Sequence, residues 1–205
     1  MKTLILAAIR CSLMFTAVTG SLFCVRFAQA YTVTLEQMGS DVVANGTGAI
    51  NLTGLNPPWG TFQFGVFVAP RFGFIVTGQD GASGALYNGI TGPSRFGPGL
   101  STIASSGSGD IVGIDAQALS FIVPSGYISG TPLTDSATYS GQTFSSLNVR
   151  QGTYIWSWGT GLPNQNFTLI IGSGVPPPVP DGGSTVSLLG FGLLGLAALR
   201  RKLTC

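Results

Sequence analysis

The amino-acid sequence predicts an all-β protein, an antiparallel β-sandwich of the jelly-roll type, flanked by an N-terminal signal helix and a C-terminal transmembrane helix. In the middle of the chain, apolar residues alternate with polar ones, and this period of two is typical of strands that bury one face. Glycine and proline are frequent, at 31 and 12 of 205 residues, and they punctuate short segments. Long apolar runs with basic neighbours lie at both ends of the chain.

The first 30 residues have the three parts of a secretory signal peptide. They have the basic Lys2 directly after Met1, continue with two apolar runs, and end with Ala28 and Ala30 in the small-x-small spacing that signal peptidase accepts. An uncleaved membrane anchor is the alternative, but Arg10 and Arg26 interrupt the apolar stretch, and an arginine inside the bilayer is costly. We therefore expect cleavage after Ala30.

The middle of the chain contains the segments that predict strands. Apolar residues of one parity recur at Val33 and Leu35, Ile50 and Leu52, Phe62 to Val68, Phe72 to Val76, Leu119 to Val123, and Phe167 to Ile171. Turn-forming pairs such as Asn45-Gly46, Asp80-Gly81, Asn88-Gly89 and Ser140-Gly141 separate them. Short strands with frequent turns favour a sandwich or a jelly roll. Residues 85–109 lack a clear period, so we expect a long, mobile surface loop there.

Composition excludes several classes of function. Between Tyr31 and Pro180 the chain has three arginines, no lysine and six carboxylates, so a nucleic-acid partner, which requires clustered basic residues, is not expected. The chain has no histidine, and its three cysteines lie in the terminal segments, which excludes zinc, haem and iron–sulfur sites from the middle. Asp110 and Asp115 are the nearest acidic pair, and we interpret them as turn residues instead of metal ligands. We expect no cofactor and no metal.

Catalysis by the chain is also not expected. Without histidine or lysine in the middle segment, a hydrolase would depend on two facing carboxylates, and the six scattered carboxylates single out no pair. The sequence therefore predicts a protein that is not an enzyme and has no catalytic residues.

Aromatic residues provide the candidate ligand contacts. Tyr154, Trp156 and Trp158 share one face of a predicted strand and lie about 7 Å apart along it, a spacing at which aromatic rings can stack on sugar rings. The alternative, which we favour, is that they pack in the core between two sheets. Trp59 follows Pro57-Pro58 and is the better candidate for an exposed aromatic contact.

Near the C-terminus, Val186 to Leu199 form an apolar run that is followed by Arg200, Arg201 and Lys202. As a helix, 14 residues span about 21 Å, which is less than the ~30 Å hydrocarbon core, so this segment predicts a marginal anchor. The basic tail would remain on the cytoplasmic side. A simple tail anchor is one interpretation of this arrangement.

The residues before that run indicate another interpretation. Val179, Pro180, Asp181, Gly182 and Gly183 follow a proline-rich stretch and precede Ser184, the Gly/Leu-rich run and the basic tail. This order of parts resembles the PEP-CTERM sorting signals of Gram-negative bacteria, in particular the variant with Val-Pro-Asp-Ser-Gly as its core. Gly182 departs from that pattern, which usually has serine there, and Leu203-Thr204-Cys205 extend beyond the basic cluster.

The resemblance implies an exosortase as partner, a membrane enzyme thought to cleave at the motif and to pass the protein to the cell envelope or an exopolysaccharide matrix. Signal peptidase and the general secretion machinery would act on the other end. We therefore expect an exported, non-catalytic protein that is membrane-anchored as a precursor and then resides at the cell surface or in the extracellular matrix. A module that binds carbohydrate, namely an exopolysaccharide, is the alternative function.

Together, these features divide the chain into four parts. The expected boundaries are 1–30 for the signal peptide, 31–173 for the β-sandwich domain, 174–184 for a Pro/Gly-rich linker with the sorting motif, and 185–205 for the transmembrane helix and basic tail.

Overall fold

The computed structural model describes residues 29–172, which contain thirteen strands and one 3-10 turn joined by loops. The strands are β1 (Tyr31–Met38), β2 (Asp41–Ala49), β3 (Gly60–Phe64), β4 (Phe67–Ala69), β5 (Phe74–Thr77), β6 (Ala82–Asn88), β7 (Thr102–Ile103), β8 (Ser106–Gly109), β9 (Val112–Asp115), β10 (Ser120–Pro124), β11 (Pro132–Tyr139), β12 (Gly152–Ser157) and β13 (Asn166–Ile171). The 3-10 turn covers Pro70–Phe72. The all-β prediction is confirmed. Within residues 29–172, no helix has the length and apolar character needed to cross a membrane, and the helices predicted for the termini lie outside these residues.

The strands form two sheets. The six-stranded sheet has the order β12-β13-β1-β2-β11-β8, and the seven-stranded sheet has the order β3-β6-β10-β9-β5-β4-β7. Pairing is antiparallel as expected, except that β1 and β13 run parallel, with Tyr31 beside Phe167 and Leu35 beside Ile171. On its other edge, β13 pairs antiparallel with β12.

The core lies between the two sheets. Alternation along β1 places Tyr31, Val33 and Leu35 on the inner face of the six-stranded sheet, where all three are fully buried. Phe121 of β10 faces them from the seven-stranded sheet, and its ring centroid lies 5.2 Å from that of Trp158 and 5.8 Å from that of Phe167. These ring contacts join the two sheets through their largest side chains.

The apolar alternation from Phe62 to Val68 does not form one strand. Strand β3 ends at Phe64, β4 begins at Phe67, and the backbone N–H of Val66 between them donates to the Asp80 carboxylate at 3.0 Å. Phe62 and Phe64 therefore lie on the outer face of the seven-stranded sheet, whereas Val66 is buried.

The prediction of a mobile loop over residues 85–109 is wrong, because this range includes the end of β6 and all of β7 and β8. The connection between β6 and β7, residues 89–101, is held by contacts. Phe96 is buried, and its backbone N–H donates to the Pro70 carbonyl at 3.0 Å. The Phe96 carbonyl accepts from the backbone N–H of Arg150 at 2.8 Å, and the Pro93 carbonyl accepts from Trp156 Nε1 at 2.9 Å. The segment is thus an ordered part of the domain, because a buried aromatic ring anchors it.

Candidate functional site

The predicted processing residues fall almost entirely outside the described part of the chain. This holds for the sorting motif Val179 to Gly183, for the basic tail Arg200 to Lys202 and for Ala28. Ala30 is described, and it forms an isolated parallel bridge with Ala49 directly before β1 begins. The expected cleavage position therefore lies at the entrance to the six-stranded sheet, and the roles of these residues remain predictions.

The aromatic row of β12 packs inward. Trp156 and Trp158 are 1% and 5% exposed, and Tyr154 is half-buried. Both indole N–H groups are used inside the protein, since Trp156 donates to the Pro93 carbonyl and Trp158 donates to the Asn51 carbonyl at 2.7 Å. The two tryptophans therefore belong to the core, as the favoured alternative predicted, and Tyr154 is the member of the row that a ligand can reach.

Trp59, by contrast, lies at the surface and is 61% exposed. Its ring centroid lies 5.0 Å from that of Phe62, and the Phe62 ring contacts that of Phe64 edge-on at 6.3 Å. These rings line one side of a groove of about 320 Å³ on the outer face of the seven-stranded sheet. We call it the aromatic groove, and it is lined by Trp59, Phe62, Phe64, Phe74, Leu86, Asp115 and Ile122.

A glycine in β6 makes room for this groove. Gly84 lies opposite Phe62 in the sheet, and a Cβ atom at this position would lie 2.8 Å from Ile122 Cγ2 and 2.9 Å from the Phe64 ring. Such contacts are too close for carbon atoms, so any larger residue at position 84 would have to displace the Phe64 ring or the Ile122 side chain. The aromatic groove thus depends on one missing side chain.

Four of the acidic residues accept backbone N–H groups, but only Asp115 does so within its own turn, whereas Asp41, Asp80 and Asp110 accept from distant parts of the chain. Asp115 Oδ1 accepts backbone N–H groups of Gln117 at 2.9 Å and Ala118 at 3.1 Å. Asp110 Oδ2 accepts the backbone N–H of Thr134 at 2.9 Å. Within residues 29–172, no group of three or more histidine, cysteine, aspartate or glutamate side chains is placed to hold a metal ion.

Asp135 differs from the other carboxylates because it is inside the core. It is 4% exposed and accepts a hydrogen bond from the Tyr31 hydroxyl. Burial raises the pKa of Asp135 to about 6, while the hydrogen bond from Tyr31 and the nearby Thr77 hydroxyl, which itself donates to the Val112 carbonyl, act in the opposite direction. Its Oδ1 atom has no hydrogen-bond partner among the described residues. The apolar surroundings make this a structural group that responds to pH.

A second pocket, which the sequence did not indicate, opens beside the anchored segment. It has a volume of about 220 Å³. We call it the arginine pocket, and its lining consists of Arg95, Phe96, Gly97, Pro98, Arg150 and Tyr154. The sequence offered only a compositional indication of this pocket, because the chain has three arginines between Tyr31 and Pro180 and two of them line it.

Comparison with known proteins identifies the C-terminal segment. Residues 178–203 match the family model described as the VPDSG-CTERM motif. No curated protein and no solved structure matches the chain at a significant level. The match covers the motif Val179 to Gly183, the apolar run and the basic cluster, the same three parts on which the resemblance to PEP-CTERM sorting signals is based. The C-terminal segment of this chain is therefore a VPDSG-CTERM motif, a variant of the PEP-CTERM-like sorting signals recognised by exosortases.

Proposed function

We propose that the chain is a non-catalytic exported protein of the cell surface or extracellular matrix, whose precursor an exosortase-type enzyme processes. The observation that carries the proposal is the VPDSG-CTERM match over residues 178–203. Catalysis belongs to the partner enzyme, and the chain supplies the recognised segment. In this proposal, cleavage after Ala30 removes a signal peptide, and the segment from residue 185 holds the precursor in the membrane.

The physical properties of the tail support this assignment. Pro176, Pro177 and Pro178 cannot continue a helix, so they favour an extended backbone before the motif. A peptide bond that an enzyme must grip needs such an accessible backbone. The Gly/Leu-rich run and the arginines after it would hold this backbone next to the membrane face where the processing enzyme acts.

The experiment compares variants of the full chain in a host that contains an exosortase. Intact-mass measurement of the extracellular protein should show loss of residues 1–30 and of the tail from near Asp181. Replacing Pro180 and Asp181 by alanine should leave the precursor in the membrane fraction. Val175→Ala is the control, because Val175 lies before both the proline stretch and the matched segment, and this variant should be processed normally. Extracellular protein that still carries Cys205 would contradict the proposal and favour a simple tail anchor.

The aromatic groove favours carbohydrate binding as a second candidate function. Exposed aromatic rings provide apolar faces on which sugar rings stack, and the Asp115 carboxylate at the groove supplies a hydrogen-bond acceptor for hydroxyl groups. Trp59 contributes the largest exposed ring of this surface. The ligand would be a polysaccharide of the matrix into which the protein is delivered.

A polysaccharide pull-down assay tests this second function. We expect Trp59→Ala combined with Phe62→Ala to abolish retention on the polysaccharide. Phe72→Ala is the matched control, because Phe72 is 44% exposed and lies outside the groove, and it should bind like the unmodified protein. Equal retention of all three proteins would reject the groove as a binding site.

A further inference from the structure

We propose that the arginine pocket binds a carboxylate-bearing sugar, such as a uronate unit of an acidic polysaccharide. The proposal goes beyond sorting and concerns a surface other than the aromatic groove. It uses the extracellular destination only to choose the class of polymer. Its evidence is the meeting of two cationic side chains and an aromatic ring in one small pocket.

The charge of the pocket is opposite to that of the domain around it. Between Tyr31 and Pro180 there are six carboxylates, and the only cationic side chains are three arginines. Arg95 and Arg150, far apart in the sequence, line the same pocket, and no acidic side chain belongs to its lining. Two arginines that line one cavity give it positive charge, and an anion bound there would be attracted to both. The pocket therefore favours an anionic ligand.

Hydrogen bonds to the backbone of Arg150 fix its position relative to Phe96 and Tyr154. The backbone N–H of Arg150 donates to the Phe96 carbonyl at 2.8 Å, and the Tyr154 hydroxyl donates to the Arg150 carbonyl at 2.9 Å. The Phe96 and Tyr154 ring centroids lie 5.9 Å apart, and both residues line the pocket. Close backbone contact continues at Gly97, where a Cβ atom would overlap Asn148 and Val149. Such a preformed site loses little entropy when it binds a ligand.

The lining selects the chemistry of the ligand. Guanidinium groups bind carboxylates through paired N–H···O hydrogen bonds, which an ammonium group cannot reproduce. The half-buried Tyr154 ring offers an apolar face to a sugar ring beside that carboxylate. A volume of about 220 Å³ lies below the usual range for drug-sized ligands, which suits a single sugar unit. A phosphate polymer is disfavoured, because it would need a row of basic residues across the surface.

Isothermal titration of the full-length protein with trigalacturonate tests the proposal. A polyoxyethylene detergent is used, because a sugar-based detergent could occupy the site. We expect saturable binding of trigalacturonate that weakens as salt is added, and no binding of the uncharged trisaccharide maltotriose. Arg95→Gln and Arg150→Gln should each weaken binding by about tenfold or more, because each removes charge-assisted hydrogen bonds.

Arg71→Gln is the matched control. It removes the third arginine of the domain, which does not line the pocket, and should leave the affinity within about twofold. Arg95→Lys and Arg150→Lys keep the charge but lose the paired geometry, so intermediate affinities support carboxylate recognition.

Three results would overturn the proposal. They are no binding of trigalacturonate, equal binding of maltotriose, and an equal loss of affinity in Arg71→Gln, which would indicate unspecific attraction to net charge. Because this titration does not depend on processing of the tail, its failure would leave the sorting proposal unaffected.

Discussion

The Tyr31 hydroxyl donates a hydrogen bond to Asp135 Oδ2 over the backbone of Gly46. The three residues lie on β1, β11 and β2, and β2 runs between the other two strands. Both side chains are inside the core, where the phenol partly compensates for the loss of water around the carboxyl group. This pair is a buried polar interaction in the core of the domain, and two predictions follow from it.

The first prediction concerns pH. Burial raises the pKa of Asp135 from its ordinary value of 3.8 to about 6, so between pH 4 and 6 the folded protein keeps a proton that the unfolded chain has released. Folding then binds a proton, and the free energy of unfolding must fall as pH rises through this window. The expected contribution is roughly 3 kcal/mol, lost by pH 7. Urea unfolding of the protein at several pH values measures it.

Asp135→Asn isolates this contribution from that of the other carboxylates. The amide oxygen can still accept from Tyr31 but does not titrate, so the variant should gain stability relative to the unmodified protein as pH rises from 4 to 7. Tyr31→Phe should move the midpoint of the effect to higher pH, since a hydrogen bond that lowers the pKa is removed. Parallel pH profiles for the protein and Asp135→Asn would show that Asp135 ionises normally.

The second prediction concerns the space above Gly46. A Cβ atom there would overlap the Tyr31 hydroxyl and the Asp135 carboxyl group, and neither can withdraw from a filled core. Gly46→Ala should therefore destabilise the protein by about 2–3 kcal/mol, as overpacking does. Gly65→Ala is the control, because a methyl group there would make only an ordinary contact, at 3.6 Å from Asp80 Oδ1. Equal denaturation midpoints for the two variants would contradict the prediction.

The third prediction compares two tryptophans. Trp156 is buried and donates to Pro93, so Trp156→Ala should lower the free energy of unfolding by about 3–5 kcal/mol. Trp59 is mostly exposed, and Trp59→Ala should change stability by about 0.5 kcal/mol at most. Thermal and urea unfolding measure both. If the Trp156→Ala protein kept its melting temperature but lost polysaccharide binding, Trp156 would be a ligand contact and not a core residue.

The fourth prediction concerns Gln165, a buried amide that organises the turn before β13. Its Oε1 accepts backbone N–H groups of Thr160 and Leu162, and its Nε2 donates to the Thr53 carbonyl at 2.6 Å. Gln165→Leu leaves these three groups without partners and should cost about 2–3 kcal/mol. Gln63→Leu, at an exposed position of β3, should stay within about 0.5 kcal/mol. A small loss for Gln165→Leu would mean that water replaces the amide.

The sequence predicted strands most successfully where only one face is buried. Val33 and Leu35 in β1, and Phe167, Leu169 and Ile171 in β13, all point into the core as their alternation indicated. The same periodicity was misleading at Phe62 and Phe64. A period of two identifies which residues share a face, but it does not say which face turns inward, and here the aromatic residues lie outside.

Other features depend on contacts between distant residues. Asn45-Gly46 has the composition of a turn, yet it lies inside β2, because the glycine is required beneath the Tyr31–Asp135 pair. Arg95 and Arg150 meet only after residues 89–101 pack against the rest of the domain, so no local pattern could join them. The sorting motif is defined by the order of its residues along the chain, and it could therefore be predicted from the sequence alone.

The parallel pairing of β1 with β13 affects the order in which the domain can be completed. Strand β1 leaves the ribosome first, but one of its edges stays unpaired until Asn166–Ile171 arrive, more than 120 residues later. A chain that stops earlier presents that edge to other molecules and is prone to aggregate. The matched sorting segment begins at residue 178, after this closing strand. Every chain that has been synthesised as far as the sorting motif therefore already contains β13, the strand that pairs with the open edge of β1.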